Sequence, residues 1–437
     1  MPLTRRSLLA GAALLAAPPL RAAPRDGPVI VVGAGAAGLA AAAFLGRAGH
    51  AFVLIEARGR IGGRAFTDRS LGPDAAFDAG AQYIHWAERN PWRAVAERAQ
   101  ARIGADSGWA RTLLIDGRPA TEAERSARRA GFAALDALLA PIDATDRSVR
   151  EAAQAGGPDA AQAAASLTRM SLGEEPERVS VADYARLWSG VDLWVDGYGD
   201  LVARHHADLP VSLDTRATAI DWSGTGVAVE TSRGSLAGAA VIVTVPVGVL
   251  RSGAVRFTPT LPVTAAEALD GLGMGAYTKI ALRLDPARLD IREVGDAVSV
   301  ARRESRDLTM YLEMAPFDRP LAVANLGGDG ARALCEAGEA AAIAEATDRL
   351  AAILGNRARE AVTAGRLAGW WNDPLAHGAY SIARPGRAEA RLALRRPVAD
   401  RVFFAGEALG EGGAMTVGGA TLDGERAAAA VLRALAS

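Results

Sequence analysis

The chain has 437 residues, of which 50% are hydrophobic and 23% are charged, and its formal net charge is −1. This composition is typical of a globular protein with enough residues for two or three domains. The balanced charge argues against nucleic acid or an anionic membrane as the main partner.

The N-terminal segment, MPLTRRSLLAGAALLAAPPLRAAPRD, has the pattern of an export signal. The pair Arg5-Arg6, followed by a serine and two leucines, is typical of twin-arginine signals, and the apolar run is too short to span a bilayer. Ala22 and Ala23 resemble a cleavage region. We therefore predict a twin-arginine signal peptide at residues 1–23 and a periplasmic location, rather than an ordinary basic N-terminus before a helix.

The segment PVIVVGAGAAG, which ends at Gly38, predicts a dinucleotide-binding turn. Val29 to Val32 is a continuous apolar run, as expected for a parallel strand that is buried on both faces. Gly33, Gly35 and Gly38 then have the GxGxxG spacing, which allows a tight turn, close approach of the backbone to a pyrophosphate, and packing of helix on strand. The N-terminus of the following helix presents free N–H groups to the phosphates.

A second strand, AFVLIE, ends at Glu56, where a carboxylate can accept hydrogen bonds from ribose hydroxyls. The next residues, EARGRIGGRAFTD, contain Gly62-Gly63, which lets the chain pass close to a ligand. Arg58 and Arg64 in the same stretch can meet phosphate charge. Together with the glycine-rich turn, these residues predict that the chain binds a dinucleotide.

The strand-like segment GMGAYTKIALRL carries Lys279, the only lysine beside 48 arginines. Lysine is a compact donor whose pKa falls on burial, whereas arginine is wide, planar and always charged. The general preference for arginine in this chain could have left one lysine anywhere. Its position in the fold therefore decides whether Lys279 has a function.

Cys335 is the only cysteine, so the chain forms no intrachain disulfide. It lies in a long, alanine-rich, helix-like stretch, ARALCEAGEAAAIAEATDRL, and we expect it to be buried and inert. The five histidines have no metal-ligand spacing with it, so no metal site is expected.

A second cofactor signal lies near the C-terminus, in RVFFAGEALGEGGAMTVGGATLDGERAAAAVL. It predicts a short strand from Arg401 to Phe404, a glycine-rich turn with Glu407, and a helix that begins near Thr416. A cofactor held at both ends of the chain is long and shared between distant segments. This arrangement favours FAD over NAD.

Several separated motifs resemble the flavin-containing amine oxidases, a family that includes monoamine oxidases, polyamine oxidases and lysine-specific histone demethylases. The motifs are VGAGAAGLAAA with EARGRIGGR, DAGAQYIHWAERNP, GMGAYTKIALRL, GWWNDPLAHGAYS, and FFAGEAL with TVGGATLDGERAA. The first pair also occurs in desaturases and protoporphyrinogen oxidases, so the middle motifs make the resemblance specific. It covers nearly the whole chain after residue 27.

The resemblance implies an α/β fold in which a Rossmann-type FAD-binding domain is assembled from three segments, 27–90, 190–265 and 389–437. An α+β substrate domain is then expected from residues 91–189 and 266–388. The residues that the resemblance places against the cofactor are Gly33, Gly35, Ala36, Ala37, Gly38, Glu56, Ala57, Arg58, Gly62, Gly63, Arg64, Gly80, Ala81, Gln82, Tyr83, Ala217, Trp370, Gly406, Glu407, Thr416 and Val417.

The resemblance also assigns the catalytic residues. Lys279 is expected to hold a water against the flavin N5, Trp370 to flank the flavin, and Tyr380 to form one wall of an aromatic cage. Flat aromatic faces suit an amine, by apolar contact with the neutral form and by cation–π contact with the ammonium. His85 falls where some polyamine oxidases have a histidine at the pocket mouth. The alternative is that the two aromatic residues belong to the core and the histidine to a domain junction.

Two departures from the family pattern matter. Ala379 stands where monoamine oxidases have the cysteine that binds FAD covalently, so we expect non-covalent FAD. Thr416 stands at the second cage tyrosine, as in the histone demethylases, so we expect a wider pocket and a bulkier or longer amine.

Three carboxylates, Asp192, Asp196 and Glu313, could steer a cationic substrate, although on sequence alone we expect such groups to be solvated.

The implied chemistry is oxidation of an amine at its α carbon with a flavin, hydrolysis of the imine to an aldehyde or ketone, and reduction of O₂ to H₂O₂ or of another acceptor. We expect polyamines or bulky primary or secondary amines as substrates, with no nucleic acid partner and no stable membrane anchor. One alternative is an L-amino-acid oxidase or a desaturase on the same scaffold. An amino-acid oxidase needs an arginine that binds the substrate carboxylate, and 48 arginines leave open whether one of them has this role. Another alternative is a non-catalytic flavin-binding protein.

Overall fold

A five-stranded sheet lies at the centre of the predicted cofactor-binding region. The computed structural model describes residues 27–105, 112–139, 146–292, 294–303 and 306–437, and the predicted signal peptide lies outside them. All neighbouring strands of this sheet are parallel. Their order is Val211–Ser212, Phe52–Ile55, Val29–Val32, Ala240–Val243 and Val402–Phe404.

Both faces of the five-stranded sheet are covered, which explains the unbroken apolar run of its central strand. Val29 and Val31 pack in a core with helices Ala36–Arg47 and Val417–Ala436. The alternate residues of the strand point the other way, into a second core. That core is shared with a four-stranded sheet, whose order is Gly234–Gly238, Val227–Thr231, Ala217–Asp221 and Arg256–Thr258.

A seven-stranded sheet forms the second large sheet of the structure and contains Lys279. Its order is Val362–Ala368, Tyr277–Leu284, Leu321–Gly327, Arg306–Met314, Ala297–Arg303, Thr112–Ile115 and Arg118–Pro119. Only the pair of Ala297–Arg303 with Thr112–Ile115 is parallel within this described sheet. One face packs against helices Gly328–Ala337, Glu339–Leu354 and Arg357–Ala361.

The sequence suggested one long helix around Cys335, and the structure differs from this expectation. The stretch forms two helices, Gly328–Ala337 and Glu339–Leu354, because Gly338 between them has a φ of 91°. Glycine adopts this conformation without the steric cost that other residues bear. Cys335 itself is buried, as expected.

A helical unit covers the cavity described below. Its α-helices are Glu122–Leu139, Val149–Ala153, Gly157–Leu172 and Val181–Tyr184, which share one apolar core. The remaining α-helices are Trp92–Arg98, Tyr198–His205, Val247–Arg251, Val263–Gly271 and Ala390–Leu394. Among the described helices, none has the length and apolarity that crossing a bilayer requires.

Three small sheets connect these units. Leu272–Gly275 pairs with Tyr380–Ala383, and Thr67–Asp68 pairs with Phe77–Asp78. A three-stranded sheet has the order Tyr83–Ile84, Leu193–Val195 and Ile103–Ala105. Single turns of 3₁₀ helix occur at Pro73–Ala75, Gln154–Gly156, Pro176–Arg178, Pro316–Asp318, Glu407–Leu409 and Glu411–Gly413.

The division into a three-segment FAD domain and a two-segment substrate domain stays a prediction. The seven-stranded sheet does draw its strands from both predicted substrate segments, 91–189 and 266–388. The boundary predicted after residue 265 falls inside helix Val263–Gly271. Ala265 and Ala268 of that helix pack in the core of the five-stranded sheet, so this helix stays with the cofactor region.

Candidate active site

A cavity of about 740 Å³ is lined by residues from the five-stranded sheet, the seven-stranded sheet and the helical unit. All of the predicted catalytic and cofactor residues line it except Gly38. Gly38 lies behind the turn, where a Cβ atom would come within 1.8 Å of the Gly33 carbonyl oxygen. Its function is therefore the close packing of helix on strand.

The nucleotide end of the cavity is built from backbone. Gly33 has a φ of 102° and donates its N–H to Ile55 O at 2.8 Å, which closes the turn between the first two strands. A Cβ atom at Gly35 would meet no other atom within 4 Å. Gly35 also starts helix Ala36–Arg47 without a side-chain cap. Uncapped N–H groups beside open space fit the pyrophosphate of a dinucleotide.

Glu56 supports this turn as well as facing the cavity. Its Oε2 accepts a hydrogen bond from Ala34 N at 2.8 Å, and its Oε1 accepts one from Arg58 N at 2.8 Å. A carboxylate oxygen can accept more than one hydrogen bond. Glu56 can therefore stabilise the turn and still accept a hydrogen bond from a ribose hydroxyl.

The two arginines expected to meet phosphate charge are each paired with a carboxylate. Arg58 forms an ion pair with Asp373 at 2.8 Å. Arg64 donates from Nη1 to Glu407 Oε1 at 3.0 Å and to Ala379 O at 2.7 Å. These bonds join the first predicted FAD segment to residues more than 300 positions later in the chain, so both arginines hold distant segments together.

Lys279 lies in strand Tyr277–Leu284, opposite Asn325 on the neighbouring strand, and is 5% exposed. Its Nζ donates to Asp78 O at 2.8 Å and to Gln82 Oε1. Burial lowers the pKa of Lys279, although the charges of Glu313 and Asp78 oppose the shift. Two acceptors occupy two positions on Nζ, so one further position remains for a water in the cavity.

The aromatic end of the cavity contains Trp370 and Tyr380, which the sequence predicted, and Tyr277, which it did not. Trp370 is 8% exposed and donates Nε1–H to Ala79 O at 2.8 Å. The rings of Tyr380 and Tyr277 have centroids 6.0 Å apart with an interplanar angle of 33°. Burial raises the pKa of both phenols, which keeps them neutral. Tyr277 was missed, although it lies two residues before Lys279 and side chains alternate along a strand.

The model of the flavin containing amine oxidoreductase family matches residues 109–432, and that of a NAD(P)-binding Rossmann-like domain matches residues 31–99. The chain belongs to the flavin-containing amine oxidoreductase family. The matched regions together include both ends of the cavity.

Individual relatives agree with this family. The chain is 28% identical to "Lysine-specific histone demethylase 1 homolog 1" of Oryza sativa subsp. japonica, over 93% of this chain and 52% of the relative. It is 30% identical to "Probable polyamine oxidase 4" of Arabidopsis thaliana, over 59% of this chain and 58% of the relative. The chain therefore spans between half and two thirds of the length of these two relatives. The structure of cyclohexylamine oxidase from Brevibacterium oxydans IH-35A shares the fold, with a TM-score of 0.76, 21% identity, and coverage of 94% of this chain and 100% of that chain.

FAD is the cofactor of this amine oxidoreductase. The uncapped helix at Gly35, the carboxylate of Glu56 and the open space between them fit its nucleotide half. Lys279 and Trp370 line the same cavity, and the resemblance places the flavin ring beside them. Ala379 lines the cavity too and has no side-chain atom that could bond covalently to FAD.

Thr416 has a structural role in addition to facing the cavity of the oxidoreductase. Its Oγ1 accepts a hydrogen bond from Gly419 N at 3.0 Å, which caps helix Val417–Ala436, and donates to Gly413 O at 2.8 Å. The hydroxyl hydrogen is therefore not available to a substrate. The threonine contributes a small side chain at the position that the resemblance compares with the second cage tyrosine of monoamine oxidases.

The carboxylates expected to be solvated differ in position. Glu313 is 4% exposed, lines the cavity, and accepts a hydrogen bond from Gln82 Nε2 at 2.6 Å, so the expectation of solvation is wrong for it. Asp196 forms an ion pair with Arg319 at 2.6 Å and does not line the main cavity. Asp192 lines the cavity beside His85.

His85 and Asp192 form a polar pair in the cavity wall, with Nδ1 and Oδ2 2.8 Å apart. Partial burial would raise the pKa of Asp192, but the hydrogen bond and charge of His85 lower it overall. The ring of Trp86 lies 5.8 Å from that of His85. The histidine side chain is 39% exposed, which places the pair where the cavity wall meets solvent.

A buried ion-pair network that the sequence did not reveal holds the Tyr380 strand in place. Arg391 binds both carboxylate oxygens of Asp183, at 2.8 and 2.9 Å. Its Nη1 also donates to Ser381 Oγ at 2.7 Å, and Ser381 Oγ donates to Glu407 Oε2 at 2.8 Å. This series of hydrogen bonds thus connects the helical unit to the cofactor region through Ser381, the residue after Tyr380. No local motif marks Asp183 and Arg391, which are 208 residues apart.

Proposed function

We propose that this protein is an FAD-dependent oxidase of polyamines or of bulky primary or secondary amines. The observation that supports this most is the position of buried Lys279 in one cavity with the ring pair Tyr277 and Tyr380. FAD, when bound, supplies the two-electron acceptor for the oxidation. Overall, the amine, O₂ and water give an aldehyde or ketone, the nitrogen product and H₂O₂.

The residues of the chain bind and orient the amine. The tyrosine rings contact its apolar parts and can stabilise an ammonium form on arrival. The carboxylates of Glu313 and Asp192 give the cavity negative charge, which attracts a cationic substrate. Lys279 holds a water through the remaining position on its Nζ.

The arrangement of arginines disfavours an L-amino-acid oxidase. Such an enzyme needs an arginine for the substrate carboxylate. Within the described residues, the arginines that line the cavity are Arg58, Arg64 and Arg216. Arg58 and Arg64 are paired with carboxylates, and Arg216 is exposed next to Ala217. The negative charge of Glu313 instead affects the pKa values of both Tyr277 and Lys279, which it raises.

The proposal is tested by a panel of diamines, polyamines, cyclic amines and L-amino acids, read by H₂O₂ release from the FAD-loaded protein. We expect turnover of at least one amine and none of the amino acids. Turnover of amino acids alone would replace this proposal with the amino-acid oxidase alternative.

We also propose that the chain is exported to the periplasm by the twin-arginine route. Residues 4–9, Thr-Arg-Arg-Ser-Leu-Leu, support it. Replacing Arg5 and Arg6 with lysines should retain FAD-loaded protein in the cytoplasm. Unchanged periplasmic protein in a strain without the twin-arginine translocase would refute this location.

A further inference from the structure

Tyr277 and Lys279 share one face of their strand. Tyr277 lies opposite Gly327 and Lys279 opposite Asn325, so the two side chains project in the same direction. Both line the cavity. The alternate residues Ile280 and Leu282 instead point into the core under the helices. The strand therefore presents an aromatic ring to the cavity directly beside the lysine.

Backbone contacts hold the two tyrosine rings beside each other. Gly275 pairs with Tyr380 across the small two-stranded sheet, and Ala379 N donates to Gly275 O at 2.8 Å. Gly173 lies behind the ring of Tyr380, since a Cβ atom there would come within 3.3 Å of its Cε2. Tyr277 also packs with Trp370 and Tyr380 in one apolar cluster. The pair thus forms one continuous aromatic surface.

The Thr416 side of the cavity has a different character. Thr416 is small, and its hydroxyl is bonded within its own helix cap. Its neighbour Met415 belongs to the core of the helical unit. We define the apolar wall as the members of that core that also line the cavity, which are Leu167, Leu172, Tyr184, Leu187 and Met415.

We propose that Tyr277 supplies the aromatic surface that Thr416 cannot, so that Tyr277 and Tyr380 bind the amine-bearing carbon from one side while its substituent rests on the apolar wall. The site therefore selects amines with a cyclic or branched apolar substituent over linear diamines. This inference rests on the proposed amine oxidase function and assigns its substrate class.

The physical reason is that the apolar wall offers no carboxylate to a second charge, while Asp192, elsewhere in the cavity wall, is paired with His85. Moving an ammonium from water to an apolar surface costs free energy unless a carboxylate or another acceptor compensates. Glu313, a buried carboxylate of the cavity, lies at the amine end, because Gln82 donates to Glu313 and accepts a hydrogen bond from Lys279. A cyclic hydrocarbon group gains from contact with the leucine side chains.

The first experiment measures anaerobic flavin reduction by cyclohexylamine and by 1,4-diaminobutane in the wild type, Tyr277→Phe and Tyr277→Leu. We expect the wild type to prefer cyclohexylamine by about tenfold or more in the ratio of reduction rate to apparent Kd. Tyr277→Leu removes the ring and should lower the ratio of reduction rate to apparent Kd for cyclohexylamine by about tenfold, whereas Tyr277→Phe keeps the ring and should lower this ratio by less. FAD content and melting temperature serve as folding controls.

The second experiment changes the opposite wall. Leu187→Glu places a carboxylate on the apolar wall and should raise the preference for 1,4-diaminobutane relative to cyclohexylamine by about tenfold. Leu187→Ala, the matched control, should weaken cyclohexylamine without favouring the diamine. If the preference between 1,4-diaminobutane and cyclohexylamine is unchanged in Leu187→Glu, the substituent does not rest on the apolar wall and the inference is wrong.

The outcomes separate this inference from the proposed function. If the wild type oxidises diamines in preference to cyclohexylamine, or if Tyr277→Leu behaves like Tyr277→Phe, the inference is wrong while the amine oxidase function stands. If no amine reduces the flavin, the proposed function is wrong and the inference falls with it.

Discussion

The two ends of the cavity are built in different ways. The nucleotide end consists of backbone from two nearby stretches, the turn at Gly33 to Gly38 and the glycine pair Gly62-Gly63. The amine end consists of side chains from distant strands, with Lys279 and Tyr380 as examples. Substitutions at the first end should therefore change folding and FAD retention. Substitutions at the second should change rates and selectivity in a protein that still binds FAD.

The largest effect is expected for Gly38→Ala at the nucleotide end. The added Cβ would lie 1.8 Å from Gly33 O and 2.9 Å from Thr244 Oγ1, so helix Ala36–Arg47 must shift. We expect a loss of about 3 kcal/mol or more in the free energy of unfolding, measured by thermal denaturation, with loss of bound FAD. Gly35→Ala is the control, because its Cβ meets no protein atom within 4 Å, and should stay folded while retaining less FAD. A normal melting temperature in Gly38→Ala would contradict this account of the turn.

At the amine end, Lys279→Arg and Lys279→Met should keep FAD but lose activity. The guanidinium is wider than the ammonium and stays charged, so it cannot replace a buried amine between Asp78 O and Gln82 Oε1. Methionine removes the donor at similar volume. Both variants should lose about tenfold or more in flavin reduction or reoxidation, about 1.4 kcal/mol of barrier. Stopped-flow traces of each half-reaction measure this, and an arginine variant within about twofold of the wild type would make the single lysine a compositional remnant.

A smaller and more selective effect is expected for Thr416→Tyr. The added ring should discriminate against bulky amines more than small ones, whereas Tyr380→Ala should impair both. Loss of the cap at helix Val417–Ala436 should cost about 1 kcal/mol of stability. Thr416→Ser keeps the cap and serves as the control. Equal slowing of all amines by Thr416→Tyr, or an unchanged rate in Tyr380→Ala, would argue against an aromatic cage that Thr416 leaves open on one side.

The least perturbing test uses the unchanged protein and asks whether FAD is covalently bound to it. Ala379 offers only a methyl group to the cavity, and Cys335 is buried in helix Gly328–Ala337. Acid or heat denaturation should therefore release all of the yellow cofactor into the supernatant. Flavin that remains with the precipitated protein would show a covalent bond.

The nucleotide end could be predicted from sequence because its signals are local. The strand at Val29–Val32 and the helix start at Gly35 follow from an apolar run and a glycine spacing. The C-terminal strand Val402–Phe404 and the cap at Thr416 also agree with the elements expected there. In each case neighbouring residues determine the backbone conformation.

The amine end could be predicted only in part, because its contacts depend on the register between distant strands. Lys279 and Tyr380 were identified through motifs, whereas Tyr277 lies inside the Lys279 motif without a role that the motif assigns, and its role follows from the pairing of Gly275 with Tyr380. The burial of Glu313 depends on how its strand pairs with Leu321–Gly327. Alternation along the strand was a usable signal for Tyr277, but no comparable signal exists for Glu313.

The central claim is that an amine is oxidised with FAD in the cavity that holds Lys279. The most direct measurement is the visible absorbance of the FAD-loaded protein, mixed anaerobically with cyclohexylamine and then with other amines of the panel. The account predicts that the yellow absorbance disappears with at least one amine and returns when O₂ is admitted. Absorbance that no amine changes, in a sample that dithionite still reduces, would contradict it.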